Sequence, residues 1–249
     1  MAGTASDGEV RLPRSAELTY RSIGVVGNQP FDVATKLNWR HNDHYYEARW
    51  TLFTPKIGEQ TRVSTGVTGP SGLLPVLASL RTPNAQDMRF DYDNMRLFLT
   101  TPEATATLRP GAQDRLSVLL QMAAMVAGDS ERYAKPGTSI DLPAVHPDRV
   151  GQWHFVVQDT LPIEALKEKM LPTLHLLHEP QDPTDVRLEV WLGRTLDYLP
   201  ARLRVTEANG DTADYVVQSA YTRPVPAAAS PDPSGSGVDP KVLPAQFKP

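Results

Sequence analysis

The chain has 249 residues, a formal net charge of −4 and no cysteine. That length carries one large domain with a real core, or two small ones. Scattered Lys and Arg argue against a nucleic-acid footprint, and the missing cysteine excludes disulfides, thiol catalysis and lipid attachment through Cys within these 249 residues.

No run of about eighteen apolar residues occurs, so no helix here is expected to span a membrane. Residues 1–8 lack the apolar centre of a signal peptide. This leaves a cytosolic protein, or one whose export signal or anchor has been removed.

Residues 1–14 read as a disordered lead. Strands are expected over 16–26, 31–39 and 45–54, the last two joined by the turn His41-Asn42-Asp43. In the third strand Tyr46, Ala48, Trp50 and Leu52 share one face, and Tyr45, Glu47, Arg49 and Thr51 the other. That is the period of a half-buried antiparallel strand. Strands over 61–67 and 73–80 flank Gly69-Pro70-Ser71-Gly72, and strands over 88–92 and 95–99 flank Asp93-Asn94.

A helix follows. Pro110 and Gly111 punctuate the chain, Gln113 or Asp114 stands where a cap belongs, and Gly128 is placed to end it. At about 100° per residue, Leu116, Leu119, Leu120, Ala123, Val126 and Ala127 share one face. Val118, Met122 and Met125 fall nearly opposite. A helix apolar almost all round is covered on two sides. The sheet covers the Leu120 face; another helix, a partner or an apolar ligand covers the other.

Beyond the helix, strands are expected over 138–142, 153–158, 174–178, 186–192, 201–206 and 212–221. In the fourth of these Val186, Leu188, Val190 and Leu192 alternate with Arg187, Glu189 and Trp191. Residues 163–170, bounded by Pro162 and Pro172, have helical character. From Pro224 onward the chain is Pro, Ala, Ser and Gly without period, a disordered tail. The expected organisation is a lead (1–14), one β-barrel domain (15–222) and a tail (223–249). The fold class is mainly β: an antiparallel meander curled into an open or closed barrel, with one buried α-helix as lid or plug.

Candidate chemistry is sparse. His41-x-x-His44 and His175-x-x-His178 have a spacing that points side chains to opposite faces of a strand, so no metal site is expected. Asp114 reads as a helix cap rather than a catalytic acid. Ser117 lacks a nucleophile elbow, and no glycine-rich phosphate loop is present. Trp39, Trp50, Trp153 and Trp191 suit either a ligand cavity or a barrel core. The expected ligand-binding set is Val118, Met122, Met125, Trp50 and Trp191, with Gln113 and Asp114 as structural caps and no catalytic residue, metal or cofactor.

Several stretches together resemble one bacterial family, domain of unknown function 3108, over about residues 15–222. They are Pro110-Gly111-Ala112-Gln113-Asp114-Arg115-Leu116-Ser117 before the apolar helix, Gly72-Leu73-Leu74-Pro75, Trp191-Leu192 with Tyr198-Leu199-Pro200-Ala201-Arg202-Leu203, and Asn209-Gly210-Asp211. Residues 161–172 depart from the family, whose members carry a glycine-containing hairpin there. The resemblance implies an exported or envelope-anchored protein of Gram-negative bacteria, periplasmic, with a fold like the open barrels of the lipoprotein carriers LolA and LolB. It brings no catalytic residues, and fold analogy does not establish function. The first expectation is a non-enzymatic envelope protein holding a lipid or acyl chain in a barrel lidded by the helix. The alternative is a scaffold or interaction module with a filled barrel, its helix meeting an envelope protein partner.

Overall fold

Alternating apolar and polar residues build sixteen strands among the described residues. The computed structural model describes residues 9–222 except 55–57, 83–84, 101–102, 146–149 and 168. The first eight strands are β1 (Ala16–Val26), β2 (Gln29–His41), β3 (Tyr45–Thr54), β4 (Gly58–Gly69), β5 (Gly72–Arg81), β6 (Gln86–Asp91), β7 (Arg96–Thr100) and β8 (Glu103–Thr107). Helices α1 (Ser117–Gly128) and α2 (Ser130–Tyr133) follow. The remaining strands are β9 (Ser139–Val145), β10 (Val150–Asp159), β11 (Ile163–Ala165), β12 (Lys169–Leu171), β13 (Thr173–His178), β14 (Arg187–Gly193), β15 (Pro200–Thr206) and β16 (Thr212–Thr222).

Fourteen strands form one antiparallel sheet in the order β8-β7-β6-β5-β4-β3-β2-β1-β16-β15-β14-β13-β10-β9. A twisted sheet of this size curls, and here it makes an open barrel. First and last strands pair in the middle, so the two edges, β8 and β9, come from the centre of the chain. The segment between those edges is the one that carries α1. Its backbone enters the seam: Leu108 N–H donates to Met95 O at 2.9 Å, Gln113 N–H to Pro143 O at 2.8 Å, and Val145 N–H to Gln113 O at 2.9 Å.

The curl settles what covers the helix. Every residue from Ser117 to Val126 is buried, because one sheet wraps both flanks. Leu18, Tyr20, Leu37, Trp39, Leu174, Leu176, Val190 and Leu192 join the helix in the main core. A second, smaller core lies between β5–β8 and the 108–112 segment, around Phe90, Leu97 and Leu108.

Three expectations change. Residues 9–14 are not a disordered lead. Arg11 N–H donates to Ala124 O at 3.0 Å, the Trp39 indole donates to Pro13 O at 2.9 Å, and Arg14 pairs with Asp197 at 2.6 Å. Glu9 lies so close to the end of α1 that a Cβ on Gly128 would meet its carbonyl at 1.8 Å. Residues 163–170 are not helical but form the β11–β12 hairpin. Leu166 and Lys167 turn it at φ 48° and 60°, taking the left-handed backbone that glycine adopts more easily. So short a segment cannot hold a helix by itself, and as a hairpin it buries Ala165 and Leu171. Finally, β8 is not among the expected strands, since its Glu, Ala and Thr residues include no large apolar side chain to mark a face. Residues 223–249, expected as a tail, lie outside the described residues.

Candidate functional site

The start of α1 is a polar hub inside an apolar barrel. Asp114 Oδ1 accepts the backbone N–H of Leu116 at 2.8 Å and of Ser117 at 3.0 Å, while Ser117 Oγ accepts the N–H of Asp114 at 2.9 Å. This reciprocal arrangement is a capping box, which satisfies donors that a helix start leaves open. The other carboxylate oxygen, Oδ2, accepts the Ser64 hydroxyl at 2.5 Å, and Tyr46 OH lies 3.0 Å from Ser64 Oγ. Burial, reinforced by the Asp114 charge, pushes the Tyr46 hydroxyl well above its usual pKa. Asp114 is therefore a cap, with both oxygens engaged. Gln113 does not cap. Its side-chain amide donates to Leu73 O at 2.9 Å and Gly111 O at 3.1 Å.

Gln121 completes the tie to the β4–β5 hairpin. Its Oε1 accepts Leu73 N–H at 2.7 Å and its Nε2 donates to Ser71 O at 2.9 Å. The stretches Gly72-Leu73-Leu74-Pro75 and Pro110 to Ser117 thus meet in space. Pro75 sits at a bulge, where Gly66 opposes it and Val76 has no partner in register. A second proline, Pro200, stands at the bulge of β14 with β15. Bulges are where a sheet tolerates a residue without an N–H.

Beside the hub, at the barrel mouth, two adjoining pockets of about 100 and 190 Å³ open. The inner one has an apolar wall of Leu116, Leu119, Trp153, Leu188 and Leu203. The outer one reaches Phe31 and Leu52. Trp50, Arg62, Tyr215, Val205 and Glu207 border both. Trp50 and Arg62 are directly paired across β3 and β4, so their side chains share the inner face. Trp50 meets Tyr215 edge-on at 5.1 Å and lies 5.0 Å from Tyr20, ring centre to ring centre. Arg115 closes one side by pairing with Glu207 at 2.7 Å. Burial, and next the neighbouring Arg115 charge, lower the Arg62 pKa; burial pushes the Tyr215 hydroxyl up to about 12.

Of the residues expected to bind ligand, Trp50 lines these pockets. Val118 and Met122 are fully buried and Met125 nearly so, within the main core. The inner pocket lies instead beside Leu116 and Leu119, on the helix face expected to be solid. Trp191 is outside the barrel altogether. It stacks on His175 at 4.2 Å, and Arg202 lies over the ring at 4.9 Å. Alternation along β14 explains this: Leu188, Val190 and Leu192 enter the core, so Trp191 and Glu189 face out. Arg62, Arg115, Tyr215 and Glu207 were missed. The signal for Arg62 is its place opposite Trp50 in a hairpin whose inner phase Trp50 reveals.

The histidine pairs divide as their spacing requires. His175 lies on the outer face 3.2 Å from Asp159, whereas His178 is fully buried, 3.1 Å from both His154 O and Asp185 Oδ2. His41 contacts Pro13 O at 2.9 Å. Among the described residues no three His, Asp or Glu side chains group as metal ligands.

Fold and site together define a β-barrel-like domain filled by its own helix, with a part-polar mouth. The chain belongs to the family of proteins of unknown function DUF3108, whose model matches residues 17–217. No curated protein matches it. Among solved structures it is similar to a beta-barrel-like protein of domain of unknown function DUF1849 from Brucella abortus, with a TM-score of 0.54 and 11% identity, covering 86% of this chain and 100% of that one. At that identity the likeness is one of fold alone.

Proposed function

We propose that the protein is a non-enzymatic cell-envelope protein that binds an apolar ligand, such as an acyl chain, at the mouth of its barrel. The observation that carries this reading is the inner pocket, where Leu116, Leu119, Trp153 and Trp50 leave space unfilled beside a helix packed tightly elsewhere. Concave, mostly apolar sites with a few polar groups suit small ligands. A binding rather than catalytic role is supported by Asp114, whose oxygens are both committed to holding the helix. The resemblance to exported relatives supports a periplasmic location. The test is native mass spectrometry after mild purification, together with displacement of a fluorescent fatty acid. A bound acyl compound and displaceable fluorescence support the reading; an empty protein that takes up no probe overturns it.

A second reading, an interaction module, is favoured by the solid packing of Val118, Met122 and Met125, which leaves the deep barrel filled. It predicts that a partner protein from the envelope co-purifies while no small molecule does.

A further inference from the structure

The inner face of β4 reverses the usual pattern. Arg62, Ser64 and Gly66 turn inward, while Val63 takes the other face, although Val63 belongs to the more apolar phase. Such local conflicts mark sites where something other than folding sets the sequence. Two of the three are accounted for. A Cβ on Gly66 would lie 2.1 Å from Leu74 O and 2.8 Å from Pro75 Cα, so only glycine fits beside the bulge. Ser64 serves Asp114. Arg62 has no such task. Among the described residues its side chain makes no hydrogen bond and no ion pair, and the charged groups that act on it are Arg115, Glu207 and Asp114.

Even half-burying a guanidinium that no carboxylate contacts is costly. The neighbouring carboxylates are committed to other groups. Arg115 and Glu207 pair with each other, and Asp114, which acts on Arg62 from further off, has both oxygens engaged elsewhere, so no carboxylate contacts the Arg62 guanidinium where the two pockets join. A guanidinium offers a planar fork of donors that matches a carboxylate. The wall beyond it is apolar, formed by Leu116, Leu119 and Trp153, and the inner pocket has a volume of about 100 Å³.

We propose that the barrel mouth recognises a short-chain carboxylate, its anionic head on Arg62 and its apolar body against Leu116, Leu119 and Trp153. This rests on the binding reading above and names the ligand chemistry of that site. Glu207 restrains the site by holding Arg115 away from the anion.

The test uses the full chain and nuclear magnetic resonance of the Trp50 indole N–H during titration with hexanoate, hexan-1-ol and acetate. Hexanoate is expected to shift the signal saturably and at least tenfold more tightly than either of the others. Equal binding of hexanol overturns the assignment to Arg62 while leaving an apolar site. Equal binding of acetate makes this a site for free anions and overturns the amphiphile. Binding of none of them overturns this inference, and the fatty-acid displacement above then decides the wider reading separately. Arg62→Met is expected to weaken hexanoate at least tenfold and leave hexanol unchanged. Glu207→Gln keeps Arg62 and releases Arg115, so it is expected to tighten hexanoate several-fold. If Arg62→Met does not fold, unchanged or weaker hexanoate binding by Glu207→Gln overturns the proposal.

Discussion

The side-chain amide of Gln121 occupies the space that a Cβ on Gly72 would need, its Oε1 lying 2.2 Å from that point. Gly72 also has φ 98°, in the left-handed region that disfavours other residues. Gly72→Ala therefore strains the backbone and displaces the amide that holds Ser71 O and Leu73 N–H. The expected loss is about 2–4 kcal/mol, read by urea denaturation. A loss below about 1 kcal/mol would mean that the hairpin yields without breaking the clamp.

Met122 sits in a filled core, so enlarging it has no space to enter. Met122→Trp is expected to destabilise by about 1–3 kcal/mol, whereas an empty cavity on that face would accept the larger ring at little cost. Chemical denaturation distinguishes the two, and an undiminished midpoint would put a cavity at Met122 after all.

Arg62 should behave differently from an ordinary buried charge with a partner. Replacing it by Met removes a half-buried guanidinium that no carboxylate contacts and keeps much of its volume. The variant is expected to range from neutral to about 2 kcal/mol more stable. A loss of more than about 1 kcal/mol would show that Arg62 supports the fold.

The N-terminal segment straps the end of α1 to β2. Deleting residues 1–14 removes the Pro13 carbonyl from the Trp39 indole and Arg11 from Ala124 O. Tm is expected to fall by about 2–8 °C, as loss of one or two kcal/mol produces in a domain this size. An unchanged Tm would make the strap incidental.

Asp185 links the buried His178 to the β13–β14 turn. Burial raises its pKa, but the N–H groups of Gln181 and Val186, and then His178, outweigh that effect and the net shift is downward. A carboxylate depressed in the folded state contributes stability that is complete above its unfolded pKa of about 3.9 and is lost as pH falls through the folded value. Urea midpoints measured from about pH 6 downward should therefore drop less steeply below pH ~4 in Asp185→Asn than in the unsubstituted protein. Parallel curves would remove Asp185 from the acid response.

The sequence by itself determined the elements with clean periodicity. Strands 16–26 and 45–54 have the bounds that alternation predicts, and a helix apolar all round is a buried helix wherever it lies. Asp114 as a cap was equally legible, because capping depends on residues three positions apart. Tertiary structure alone decided the rest. Whether one sheet covers both flanks of α1 depends on the collective twist of fourteen strands, which no single strand encodes. In β4 both phases mix polar and apolar residues, so only pairing with Trp50 on β3 turned Arg62 inward. Trp191 shows the converse: its alternation with Leu188, Val190 and Leu192 already placed it apart from the core, and His175 with Arg202 then covered it from outside. The pockets are what remains when these faces close. They lie where β3, β4, β15 and β16 converge, the inner one against the start of α1, a meeting of distant segments that periodicity, being local, does not record.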